Sequence, residues 1–147
     1  MQFKGTVQIA APRDKVWSFL MDPNQVGSCG PGVESIEVVD ADHFKAKAKV
    51  GVGFISARFA VDMTVAERDE PELAILKAHG QAPGSAVDAT ASMRLTGAPE
   101  GPTSMEWSAD VHIAGTLASV GARMIEGTAH KMIGHTFDCI RAKLEAG

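Results

Sequence analysis

The feature that most constrains this chain is a single change of period. From Val33 to Ile113 apolar residues recur at every second position, whereas beyond Gly115 they recur at every third or fourth. Phe44, Ala46, Ala48 and Val50 alternate with His43, Lys45, Lys47 and Lys49. Val87, Ala89, Ala91, Met93 and Leu95 alternate with Asp88, Thr90, Ser92 and Arg94. Alternation of this kind belongs to strands with one buried and one solvated face. Strands are expected over 2–10, 33–40, 42–52, 54–67, 72–80, 86–96 and 103–114. Turns fall at Asp40-Ala41-Asp42, Asp69-Glu70-Pro71, Gln81 to Gly84 and Gly97 to Pro102. Short connections between consecutive strands make an antiparallel meander.

The helical segments frame that meander. Pro12 is suited to the first position of a helix that carries Val16, Trp17 and Leu20 on one face and stops at Asp22-Pro23. Asn24 to Cys29 forms a second short helix, and Gly30-Pro31-Gly32 is a turn. At the other end, Thr116 caps a helix whose stripe runs through Leu117, Val120, Met124, Thr128, Met132, Ile133, Thr136, Phe137, Ile140 and Leu144. About 28 residues at 1.5 Å each reach roughly 42 Å, enough to cross a sheet. Gly121, Gly127 and Gly134 each cost up to ~1 kcal/mol of helix propensity, which predicts close packing or bending there. The expected fold class is α+β: a seven-stranded curved antiparallel sheet around a long C-terminal helix, with two short helices after strand 1, in one domain over 1–147.

Composition narrows the function classes. With 147 residues, 45% hydrophobic and 22% charged, the chain has the make-up of a globular domain. A net charge of -4 argues against nucleic acid as a partner. Two cysteines, Cys29 and Cys139, do not make a disulfide framework and point to a reducing compartment, hence a cytoplasmic location. The N-terminus reads as a strand rather than a signal peptide, and no apolar run approaches the ~18 residues of a membrane span.

Signatures of catalysis are sparse. His130 and His135 lie about 140° apart around a helix, and no His or Cys pair has zinc spacing, so no metal is expected. Asp62, Asp88, Glu106 and Asp110 alternate onto the outward face, away from any interior site. There is no tyrosine, no G-x-S-x-G elbow and no phosphate loop. Lys45, Lys47 and Lys49 form an outward ladder, read as solvated surface or as a docking strip for anionic lipid or an acidic partner.

The inward set remains. Ala46, Ala48, Ala89, Ala91 and Ala109 converge with Phe59, Val61, Met63, Met93, Trp107, Met124 and Met132, while Cys29 and Pro31 stand at the turn. Two readings follow. Methionines fill the gaps of a packed core, or the small residues leave an apolar pocket of a few hundred Å³. In the second reading Thr128 and Thr136 offer hydrogen bonds to a ligand oxygen. A hydrolase or cyclase would need an inward ionisable group, with Arg123, Glu126 and the helix histidines as the candidates.

The residues Phe3-x-Gly5, Pro12 with Val16-Trp17, Asp22-Pro23, Cys29-x-Pro31-Gly32, Gly51-x-Gly53, Thr103-x-x-x-Trp107 and Gly115-x-Leu117-Ala118-x-x-Gly121-x-Arg123 occur in this order along the chain. In order and spacing the chain resembles the CoxG family of carbon monoxide dehydrogenase accessory proteins, within the START and Bet v 1-like (SRPBCC) helix-grip superfamily. The likeness covers essentially the whole chain. It implies an accessory protein of a CO-dehydrogenase-type molybdenum hydroxylase, tied to membrane recruitment of the enzyme or to the quinone pool. Gly30 departs from the apolar residue usual before the proline–glycine pair. Longer relatives continue into a tail with a membrane anchor where this sequence ends at Gly147, so membrane contact is expected to be peripheral at most. The expected function is a non-enzymatic carrier of a hydrophobic small molecule, a quinone, with no covalently bound cofactor. The alternatives are an assembly or recruitment factor without ligand, and a small hydrolase or cyclase.

Overall fold

A computed structural model describes residues 1–146. Strands β1 (Gln2–Ile9), β2 (Val33–Val38), β3 (His43–Val52), β4 (Ile55–Asp69), β5 (Leu73–Ala82), β6 (Ser85–Thr96) and β7 (Thr103–Gly115) form one sheet in the order β1-β7-β6-β5-β4-β3-β2. Every pairing is antiparallel. Helices α1 (Arg13–Leu20) and α2 (Pro23–Gly27) follow β1, and α3 (Ala122–Glu145) ends the chain. This is the helix-grip arrangement the change of period predicts, and strand boundaries fall within a few residues of those expected.

The helix starts differ in detail. Pro12 is the N-cap of α1 rather than its first residue, and the proline at a first helical position is Pro23. Asp22 caps α2, accepting from the Asn24 N–H at 3.0 Å. Thr116 does not cap the long helix. It opens a short 3-10 turn, Thr116–Val120, and the 24-residue α3 begins only after Gly121. Gly121 adopts φ +97°, a conformation open to glycine and costly for other residues. The break shortens α3 to about 36 Å and resets its phase. A methyl added at Gly127 or Gly134 would meet nothing within 4 Å, so close packing does not explain either glycine.

Inward residues fill one end of the sheet. Leu95, Met105 and Val7 are successive partners across β6, β7 and β1, next to Ile9 and Thr103. Val16, Trp17, Phe19 and Leu20 of α1, with Ile140 and Leu144 of α3, pack on them in one cluster. Thr103 is fully buried, and its hydroxyl donates to the Ala11 carbonyl at 2.8 Å. The same end is tied at the surface. The Ala10 N–H donates to Glu145 at 2.8 Å and the Lys15 ammonium to the Leu144 carbonyl at 3.0 Å.

Cys29 and Cys139 form a disulfide here, their Cα atoms 5.5 Å apart across 110 residues of sequence. The expectation of two separate reduced thiols is thereby corrected, and a reducing compartment no longer follows from the cysteines. The turn after α2 lays Cys29 against α3, a proximity that sequence separation does not reveal. Among the described residues, no helix is long and apolar enough to cross a membrane.

Candidate functional site

The opposite end of the sheet is furnished with small residues. Val61, Gly80, Val87 and Ile113 are successive partners across β4 to β7, and Ala78, Ala89 and Val111 form the adjoining row. Ala48 stands opposite Phe59 on the neighbouring pair of strands. Above them α3 presents Ile125, Thr128, Ala129 and Met132. Glycine and alanine on the sheet face Thr128 and alanine on the helix, and a gap of about 380 Å³ is left between them. That volume lies within the roughly 300–1,000 Å³ of small-molecule sites and equals the share of about a dozen liquid waters. The wall is completed by Val50 and Val52 of β3, Gly30, Pro31 and Val33 of the turn into β2, and Leu117.

The chemistry of the wall is simple. Among the described residues lining it, Thr128 carries the sole polar side chain and none is ionisable. Such a surface rewards apolar area and offers one hydroxyl to orient a ligand. Thr136, the other threonine expected to serve, donates its hydroxyl to the Met132 carbonyl at 2.8 Å and satisfies the helix backbone instead.

Seven of the anticipated residues line the cavity: Pro31, Ala48, Phe59, Val61, Ala89, Thr128 and Met132. Eight lie outside its wall. Cys29 is buried in the packed cluster beside its disulfide partner. Trp107 lies against Gly5 and forms a tilted pair with Phe137, ring centroids 5.2 Å apart, while Met93 packs on the filled end. Ala91 and Ala109 are partners in a row nearer that end, whereas Ala46 and Met63 sit toward the β3 edge of the two cavity rows. Met124 is 45% exposed and rests on Gly53. Ile125, which shares a face of α3 with Ala129 and Met132 by helical spacing, is buried in its place.

The residues that sequence reasoning passed over carry a readable signal. After the continuous apolar run Leu73 to Leu76, Ala78, Gly80 and Ala82 of β5 alternate with Lys77, His79 and Gln81. Gly80 is buried, and an added Cβ there would meet Phe59 and Val61 at an ordinary 3.5 Å. Its missing side chain therefore contributes directly to the hollow. Alternation identifies the inward face but not the height along the strand at which a covering helix reaches it.

Ionisable groups stand elsewhere. Arg123, Glu126, His130 and His135 are exposed, and His130 meets Phe3 edge-on at 5.3 Å. On the outer face of the sheet His79 bonds Asp88 at 2.6 Å, with Asp62 and His112 beside them in register. Among the described residues, no group of three or more His, Cys, Asp or Glu side chains is placed to hold a metal. The Asp40 carboxyl is held below the ordinary carboxylate range by the Asp42 N–H and by His43, in the turn between β2 and β3. A wider cleft of about 750 Å³ beside α1 and α2 is lined by Asp14, Lys15, Gln25, Ser28 and Lys143 together with Phe19 and Leu144. Both lysines are engaged, Lys15 with Leu144 and Lys143 with Ser28.

The fold recurs among solved structures. A conserved protein from Geobacillus kaustophilus superposes with a TM-score of 0.91 at 24% identity, covering 99% of this chain and 96% of its own. A START superfamily protein from Mycobacterium smegmatis gives 0.72 at 16% identity, covering 99% and 97%. The Zhui aromatase/cyclase from Streptomyces sp. R1128 gives 0.73 at 17%, covering 99% and 93%. At these identities the likeness is one of fold, START and Bet v 1-like. No curated protein matches the chain. The model of one family, CoxG, whose description makes it the G subunit of carbon monoxide dehydrogenase, matches residues 5–145, and this chain belongs to that family.

Proposed function

We propose that this protein is a non-enzymatic carrier whose cavity takes up an apolar small molecule, a quinone head group, and presents it to a CO-dehydrogenase-type molybdenum hydroxylase. The carrying observation is the 380 Å³ hollow with Thr128 as the sole polar side chain among its described lining residues. Burying a flat ring there contributes about 25 cal/mol per Å² removed from water. The Thr128 hydroxyl suits a ring carbonyl, which accepts one hydrogen bond and leaves no charge to be buried. The family's description as a subunit of CO dehydrogenase supports that enzyme class as the partner. Acid–base turnover would need an ionisable group at the wall, and the candidates for that role stand exposed.

The test is a thermal melt with menadione, a soluble naphthoquinone. The wild type should gain stability with ligand concentration, and Ala89→Leu, which pushes a branched side chain into the hollow, should lose that gain. No shift in the wild type at saturating menadione, or an equal shift in Ala89→Leu, would count against the carrier. The competing reading, a recruitment factor acting through its surface, draws on the exposed Lys45, Lys47 and Lys49 ladder. In that case charge reversal of the ladder abolishes capture of the hydroxylase while Ala89→Leu has no effect on it.

A further inference from the structure

We propose that the tip of the β3–β4 hairpin, with the first turn of α3, is a docking face for an anionic lipid bilayer, placed so that the cavity fills from the membrane. The loading step rests on the carrier reading above; the docking itself does not. Phe54 stands at the hairpin tip with 91% of its surface exposed. Met124 lies beside it, resting on Gly53. Single apolar side chains scattered over a surface need no explanation, but a phenylalanine held out on a turn next to a second large apolar residue does.

The charges behind the tip are asymmetric. Lys49 and Arg58 face each other across the two strands of the hairpin. Lys47 lies between Ser35 and Ala60 and has no carboxylate opposite it in either neighbouring strand. Lys45, farther from the tip, is flanked by Glu37 and Asp62 and is compensated. Arg123, next to Met124, is also exposed. Against these stand two carboxylates, Glu34, which accepts from Arg58 at 3.0 Å, and the exposed Glu126 beyond Met124. A chain of net charge -4 thus gathers cations toward one hairpin tip. An apolar point that enters the interface, backed by Lys and Arg within reach of the headgroup field, is the pattern of peripheral attachment to anionic lipid.

The surface favours a bilayer over a protein. Protruding side chains on a tip suit a deformable medium, whereas a protein partner needs a matched face of about 800 Å² on each side. The placement also suits loading. Val50 and Val52 of the same hairpin line the cavity, as does Ile125, the neighbour of Met124. The tip is therefore the rim of the hollow, and a ligand dissolved in lipid would meet it first.

Vesicle co-sedimentation without quinone tests the docking. The wild type should sediment with phosphatidylcholine vesicles containing phosphatidylglycerol, weakly with phosphatidylcholine alone, and less as salt rises. Phe54→Ser should weaken binding roughly tenfold or more, and Lys47→Glu with Lys49→Glu should remove the preference for anionic lipid. Both variants should keep the menadione melt shift, because none of Phe54, Lys47 and Lys49 lines the cavity. Failure to sediment with anionic vesicles, or undiminished binding by Phe54→Ser, overturns the proposal and leaves the tip to a protein partner. If vesicles bind as expected while menadione gives no shift, docking stands and the carrier reading falls.

Discussion

Two ends of one sheet carry the same alternation and reach opposite outcomes. At the β1–α1 end, Leu95, Met105 and Ile9 meet Val16, Trp17, Leu20, Ile140 and Leu144, and side chains fill the space from both sides. At the other end a smaller cluster, Val52 and Phe59 of the sheet with Leu117 and Ile125, joins the two layers, and beside it Ala78, Gly80 and Ala89 face Thr128 and Ala129 across the hollow. The filled end has two helical covers, α1 and the last turns of α3, plus the Cys29–Cys139 link. The hollow end is covered by the first half of α3 and the turn at Gly30 and Pro31. Interiors are ordinarily packed like organic crystals. A hollow therefore persists here because small residues coincide on both faces, while the larger packed cluster lies at the far end.

That contrast is open to direct attack. Leu95→Ala, at a side chain 1% exposed in the filled end, should cost about 2–5 kcal/mol in urea unfolding. An equally drastic change of volume in the hollow, Ala89→Leu, should move stability by less than about 1.5 kcal/mol. Equal losses at the two sites would erase the distinction between the ends. Cys139→Ser comes next, since the disulfide joins residues 110 apart in sequence. It should cost roughly 2–4 kcal/mol, read as a lower midpoint matched by wild type under reductant. The smallest effect is expected at Gly80→Ala. Its Cβ has ordinary clearance to Phe59 and Val61, so the variant should gain about 0.5–1 kcal/mol with a slightly smaller hollow. A loss there would mean the inner face of β5 is already filled.

The extent to which this was legible in the sequence follows from what period can encode. Alternation at Phe44 to Val50 and at Val87 to Leu95 specifies faces, and the change of period at Gly115 specifies the covering helix. Period does not encode height. Ala89 and Ala91 are equivalent in pattern, yet Ala89 faces the hollow and Ala91 does not, because covering side chains differ along α3. Nor does it encode breaks: a stripe carried from Leu117 and Val120 through Met124 ignores the turn at Gly121, beyond which Ile125 rather than Met124 is buried. The cysteine link depends on a turn meeting a helix end, a contact with no local signature.

Whether the space between β5, β6 and α3 admits a ring decides whether the hollow is a binding site. A crystal structure of the protein soaked with menadione measures this directly. A carrier predicts ligand density against Gly80 and Ala89, with a ring carbonyl within hydrogen-bond distance of Thr128. Density confined to the surface, or side chains of α3 meeting Gly80 and Ala89 across the gap, would contradict it.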